Sequence, residues 1–223
     1  MKTIAIAIDG PAGAGKSTIA RALAKEMEYI YVDTGALYRA VGCFMLEQNV
    51  EPSDADAVVP LLNGLDVSLQ FENGEQLVML NGENVSGKIR TPAVSMAASA
   101  VSAIPAVRQF LFDLQQNMAK TNNVIMDGRD IGTVVLPWAQ VKIFLTASPE
   151  ARAKRRYAEL LEKGEQVDFD DVLADMKKRD YDDSHRAVAP LKPADDAVLA
   201  DTSELNLEES IALLKSIVKE RLA

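Results

Sequence analysis

An α/β protein with a parallel five-stranded core sheet is predicted by three features of the chain: short apolar segments, helix-like segments after most of them, and a glycine-rich turn joining the first pair. Continuous apolar runs such as IAIAI and VKIFL suit strands covered on both faces. One interval, after the second strand, has a different texture and reads as a small antiparallel insertion. A chain of 223 residues can bury a full core, and one α/β domain with an insertion fits that length better than two independent domains.

The first strand, Thr3–Ile8, runs through Asp9 into Gly10-x4-Gly15-Lys16-Ser17 and then a helix-forming segment. Strand before and helix after are the context a phosphate cradle needs. Its three glycines allow positive φ and bring backbone N–H groups against phosphate oxygens, and the helix adds the positive end of its dipole. Lys16 supplies a mobile charge for the outer phosphates, and the Ser17 hydroxyl is positioned to hold Mg²⁺.

The second strand, Tyr29–Val32, leads into VDTGALYR (Val32 to Arg39), where Asp33-Thr34-Gly35 starts a helix with a hydroxyl at its head and Arg39 about one turn in. Such a terminus favours anions. Cys43, the only cysteine, lies in apolar AVGCFML and reads as a small buried hydrophobe rather than a nucleophile.

The insertion carries two Asn-Gly turn signals, Asn73-Gly74 and Asn81-Gly82, separating Val67–Phe71, Gln76–Leu80 and Asn84–Val85. A three-stranded meander is predicted, with no catalytic constellation of its own, as a scaffold that shapes or lids a neighbouring site. The segment PAVSMAASAVSAI then repeats apolar residues at Val94, Ala98, Val101 and Ile104, a helix whose small side chains admit a close neighbour. That neighbour is another helix or, given the hydroxyls of Ser95, Ser99 and Ser102, a ligand.

The third core strand, Asn123–Met126, sets Asp127, Arg129 and Asp130 of VIMDGRDIG at the carboxyl edge of the sheet, where ligands of parallel sheets sit. Asp127 is the natural partner for Mg²⁺, directly or through water; the alternatives are a turn cap or a pair with Arg129. Glycines 128 and 132 allow close approach. After the fourth strand, Val141–Thr146, a helix capped by Ser148-Pro149-Glu150 carries Arg152, Arg155 and Arg156, and KKRDYDDSHRAVAPL follows a break near Gly164.

Such charge runs are often solvated faces. Arg179 and Arg186, however, flank Asp183 near a chain reversal at Ala187–Pro190, which suits a lid that neutralises transferring phosphoryl oxygens and excludes water. His185, the only histidine, is given no general-base role, since a phosphate acceptor is already an anion. A fifth strand, Ala197–Leu199, precedes a final helix, Leu207 to Leu222, with Leu207, Ile211, Leu214 and Val218 on one face.

Twenty-four Lys and Arg against 33 Asp and Glu leave a net charge of −9, which argues against a non-specific nucleic-acid or membrane-surface binder and for a small-molecule partner. A lone cysteine excludes an intramolecular disulfide and points to a reducing compartment. With neither a signal peptide nor a membrane span in its pattern, the protein is expected in the cytoplasm. It is expected to be a monomer, although no feature of the sequence fixes the oligomeric state.

Taken together, GPAGAGKST, DTGALYR, the two-turn insertion, SGKIRTPAV, DGRDIGTVV and KKRDYDDSHRAVAPL resemble the bacterial cytidylate kinase family along nearly the whole chain. The resemblance implies a P-loop nucleoside-monophosphate kinase fold: a core formed by residues 1–32 and 105–223, an acceptor domain at 33–104 that includes the insertion at 65–87, and a helical lid within about 152–186. It also implies transfer of phosphate from ATP to CMP or dCMP with Mg²⁺. On that resemblance Gly10, Pro11, Ala12, Gly13, Ala14, Gly15, Lys16, Ser17 and Thr18 wrap the ATP phosphates, helped by Arg155 and Arg156. Thr34, Arg39, Arg129 and Arg186 hold the acceptor phosphate. Ser99, Arg108 and Asp130 read the cytosine edge, and Arg179 and Asp183 contact the ribose. Lys16, Arg129, Arg179 and Arg186 carry the catalytic charge stabilisation, and Ser17 and Asp127 serve the metal. A kinase of another small acceptor, such as shikimate, shares loop and lid, and a non-enzymatic phosphate-loop switch shares the loop.

Overall fold

The computed structural model describes residues 3–72 and 75–223. Strand β1 (Ala5–Asp9) passes through the glycine-rich turn to α1 (Lys16–Met27), and β2 (Ile30–Asp33) leads directly into α2 (Thr34–Glu47). Helix α3 (Ala55–Leu61) is followed by β3 (Val67–Glu72), β4 (Glu75–Leu80) and β5 (Glu83–Asn84), then by α4 (Pro92–Ser102) and α5 (Pro105–Thr121). Strand β6 (Val124–Gly128) opens into a π-type turn at Ile131–Val135, and β7 (Val141–Thr146), α6 (Pro149–Glu162), α7 (Phe169–His185), β8 (Val198–Asp201) and α8 (Leu207–Leu222) complete the chain.

The central sheet is parallel throughout, in the order β2-β6-β1-β7-β8. Every residue of β1 and β6 is buried, as their apolar runs require, with Ile6 and Ile8 entering one core layer and Ala5 and Ala7 the other. Strand β7 differs from expectation: Val141, Ile143 and Leu145 are buried while Lys142, Phe144 and Thr146 are only partly covered. The register brings Asp33 opposite Asp127 and Asp9 opposite Gly128, so three strands end in carboxylates or glycine along one edge.

The insertion is the expected antiparallel meander, in the order β3-β4-β5. At its second turn Asn81 and Gly82 both take positive φ (50° and 83°), the requirement of a two-residue hairpin turn; the first turn signal, Asn73-Gly74, lies outside the described residues. Val78 and Leu80 of β4 join a third hydrophobic layer with Leu37 and Val41 of α2 and Val101 of α4.

The small residues of α4 meet α2 at Gly42, where an added Cβ would stand 2.9 Å from the Ala98 amide nitrogen. Helix packing is therefore one answer to that stripe. Ile104, expected on the same helix, instead precedes Pro105 as the N-cap of α5, because proline starts a new helix there. In α8 a capping box joins Asn206 and Glu209, but Leu207 is half exposed; the buried face starts one turn later, at Ser210, and continues through Leu214, Ile217 and Val218. Among the described residues no single helix is long and apolar enough to cross a membrane.

Candidate active site

The glycine-rich turn is shaped by its backbone. Gly10, Gly13 and Gly15 all take positive φ, and at Gly10 (φ 151°) a Cβ would lie 1.9 Å from the Leu145 carbonyl oxygen of β7, so no other residue fits. Helix α1 begins after Gly15 with no side chain capping it, which leaves its first N–H groups available to an anion. Pro11 and Ala14 are buried, and Thr18 is exposed on the first turn of α1. Lys16 is buried, its Nζ donating to the Pro11 carbonyl at 2.7 Å. Burial, followed by the nearby Arg129 charge, lowers the Lys16 pKa to about 7.

Asp127 is held from three sides. Its Oδ2 accepts from the Ser17 hydroxyl at 2.8 Å, its Oδ1 from the Tyr31 hydroxyl at 3.1 Å, and its main-chain oxygen from the Thr34 hydroxyl at 2.7 Å. Burial first, then the Asp33 charge, raises its pKa to about 6. Asp127 neither caps a helix nor pairs with Arg129, which turns to Asp183 at 2.7 Å. Among the described residues no group of three or more His, Cys, Asp or Glu is placed to hold a metal. One hydroxyl touching one buried carboxylate nevertheless fits Mg²⁺, which typically takes one or two protein oxygens beside phosphate oxygens and water.

On the acceptor side, Asp33 ends β2 and caps α2, accepting from the Ala36 N–H at 3.0 Å through Oδ1 and from Arg39 at 2.7 Å through Oδ2. Arg108 pairs with Asp130 and lies 5.7 Å from the ring centre of Tyr38. Arg186, just past the end of α7, reaches Asp130 and the Ser102 hydroxyl at 3.5 and 3.4 Å and donates to the Ala189 carbonyl at 2.7 Å. The expected chain reversal is closed by the Leu191 N–H on the Asp183 carbonyl, 2.8 Å. Burial, then Arg129, lowers the Arg179 pKa to about 10, and the Nε atoms of Arg179 and Arg39 are buried without hydrogen-bond partners among the described residues. For Asp183, burial works against ionisation, but Arg129 carries its pKa below the ordinary value.

These groups share one cavity. Lys16, Ser17, Thr34, Arg39, Ser99, Arg108, Asp127, Arg129, Asp130, Arg179, Asp183 and Arg186 line it with Ala12 and Gly13. Arg155 and Arg156 do not: Arg155 donates to the Thr202 and Leu205 carbonyls and Arg156 pairs with Glu159 at 2.9 Å. Both point away because the inward position of α6 belongs to Arg152, fully buried against Asp180 and the Ala12 carbonyl of the glycine-rich turn.

Tyr38 and Ser102 also line the cavity, while Tyr31 and Asp9 support it from outside the lining, Tyr31 through its bond to Asp127. Asp9 accepts from the Ile131 and Gly132 N–H groups, both at 2.7 Å, tying β1 to the π-type turn beside Asp130. Its one sequence signal is a carboxylate ending an otherwise apolar strand.

A family profile described as cytidylate kinase matches residues 6–220. The chain belongs to the cytidylate kinase family. A cytidylate kinase of Caldicellulosiruptor bescii is 54% identical over 94% of this chain and 92% of its own, and one of Pasteurella multocida is 49% identical over 98% and 96%. An uncharacterised protein from Eubacterium ventriosum, at 14% identity, aligns with 98% of this chain and 99% of its own at a TM-score of 0.52, a likeness of fold alone. Within the cytidylate kinase family the chain is a P-loop nucleotide kinase, with the glycine-rich turn at the carboxyl edge of its parallel sheet.

Proposed function

We propose that the chain transfers the γ-phosphoryl group of ATP to CMP and dCMP, giving ADP with CDP or dCDP, by direct in-line displacement. One observation carries the site assignment: the phosphate loop with Lys16 and a cluster of Arg39, Arg129, Arg179 and Arg186 open into the same cavity. Two anions are therefore accommodated side by side. Residues 10–18 hold the ATP phosphates, Thr34, Arg39, Arg129 and Arg186 hold the acceptor phosphate, and Arg179 and Asp183 bind the ribose. The acceptor phosphate needs no base, so positioning and charge neutralisation by Lys16, Arg129, Arg179 and Arg186 do most of the work.

Ser99, Arg108 and Asp130 read cytosine. Its amino group can donate to a carboxylate and its O2/N3 edge can accept from a guanidinium, whereas uracil would turn a carbonyl toward Asp130 and leave polar groups unpaired. Ser17 and Asp127 would hold Mg²⁺, which would supply charge neutralisation to the donor phosphates. We read residues 33–104 as the acceptor domain and about 152–186 as the lid, which excludes water from the donor phosphate. We read the protein as a cytoplasmic monomer acting on small molecules; the net charge of −9 supports the small-molecule part of that reading.

The test is acceptor-dependent ADP release with CMP, dCMP, UMP, AMP and shikimate at fixed ATP. CMP and dCMP are expected to be the best acceptors; preference for shikimate, or nucleotide hydrolysis indifferent to any acceptor, would refute the assignment. Lys16→Ala should cut turnover by roughly a hundredfold or more, and Arg129→Ala should depress the CMP-dependent rate with ATP affinity little changed. Normal CMP kinetics in the Arg129 variant would remove it from the acceptor site.

A further inference from the structure

Strand β2 lies at the edge of the parallel sheet, paired among the described residues only with β6. An edge strand presents main-chain groups with no ladder partner. At its last residue, Asp33, both groups are satisfied by one side chain from the insertion. The Gln76 Oε1 accepts from the Asp33 N–H at 2.8 Å, and its Nε2 donates to the Asp33 carbonyl at 3.3 Å.

Gln76 occupies a position that strand alternation would assign to the core. It shares a face of β4 with Val78 and Leu80, both buried in the layer that unites the insertion with α2 and α4. A carboxamide in that stripe requires a polar partner, and the β2 end provides it. Gln76 also lines, with Arg21, Tyr31 and Asp33, a small cavity at the seam between insertion and sheet edge.

What Asp33 does gives the contact a consequence. Its two carboxylate oxygens fix the first turn of α2 and the Arg39 guanidinium, and the next residue, Thr34, is anchored to β6. We infer that Gln76 is a positioning residue for acceptor binding: by clamping the Asp33 peptide it sets the direction of Arg39, and through it the insertion acts on the acceptor-phosphate site. This inference rests on the acceptor role of Arg39 proposed above.

The test is a kinetic cycle on the full chain with Gln76→Leu, Arg39→Ala and the double variant, measuring kcat and KM for CMP and for ATP together with melting temperature. Gln76→Leu keeps the inward strand face apolar and is expected to raise the KM for CMP roughly five- to tenfold, as for loss of a hydrogen-bonded clamp, with the KM for ATP within about twofold. In the Arg39→Ala background the same change should have less than about a twofold effect, because the group it orients is gone. An unchanged KM for CMP in Gln76→Leu, or an undiminished effect in the double variant, overturns the inference. So does a lower melting temperature with equal losses for both substrates, the signature of a purely structural role.

Should Gln76→Leu fail to fold, Gln76→Glu takes its place. It keeps the acceptor for the Asp33 N–H, loses the donor, and is expected to raise the KM for CMP with ATP again spared; no change overturns the inference. If Arg39→Ala itself leaves the KM for CMP untouched, the acceptor reading fails and this inference with it. If Arg39→Ala raises that KM and Gln76→Leu does not, only the inference about Gln76 fails.

Discussion

Lys16 is a cation in surroundings that disfavour its charge. Burial and the neighbouring Arg129 bring its pKa to about 7, so above that value the side chain is largely neutral. A bound triphosphate reverses the balance by adding negative charge and favouring the ammonium form. Binding of MgATP at pH 8 is therefore expected to take up a proton, approaching one per site. At pH 6, where Lys16 is already charged, uptake through this group should be small. Calorimetry in buffers of different ionisation enthalpy measures it directly, and Lys16→Met should abolish the pH 8 uptake. No uptake in the wild type would show that the lysine is charged throughout. Lys16 and Ser17 are legible because their roles follow from a contiguous motif. Asp9 and Tyr31 are not: their partners are 122 and 96 residues away, and only strand register brings them together.

At the scale of elements, apolar runs, Asn-Gly turns and proline-bearing caps located the strands and most helices to within a few residues. Four of the five core strands run on past the apolar stretch that signals them, into Asp9, Asp33, Asp127 and Asp201, since main-chain pairing continues after the hydrophobic pattern stops. The π-type turn at Ile131–Val135 had no such signal, because its shape is imposed by a carboxylate from another strand. Asp9→Ala would leave two buried N–H donors unpaired, a cost of about 2–4 kcal/mol, and the melting temperature should fall by roughly 5–15 °C. The pH dependence has a definite sign. Burial raises the Asp9 pKa from 3.8 to about 6, so this group's stabilisation is full below the ordinary value and lost as pH rises through about 6. The gap in melting temperature between wild type and Asp9→Ala should therefore be wider at pH 5 than at pH 7. A gap that widens with pH would mean that the two N–H bonds hold the carboxylate ionised.

For the molecule as a whole, local and global charge oppose each other. The chain carries −9, yet its cavity gathers five arginines, Arg39, Arg108, Arg129, Arg179 and Arg186, and the titratable Lys16 against four carboxyl side chains, Asp33, Asp127, Asp130 and Asp183. An approaching nucleotide monophosphate is thus repelled by the bulk and attracted by the mouth, and ionic strength decides the range over which each acts. Screening shortens from about 20 Å at 0.02 M salt to about 7 Å at 0.2 M. If the cavity governs capture, kcat/KM for CMP should fall by roughly two- to threefold over that interval, as attraction is screened before contact. If the bulk charge governs, the sign inverts and salt should speed capture. Arg39→Ala, by removing one mouth cation, should flatten or invert the slope, so the salt series in both proteins separates the two fields without any change of substrate.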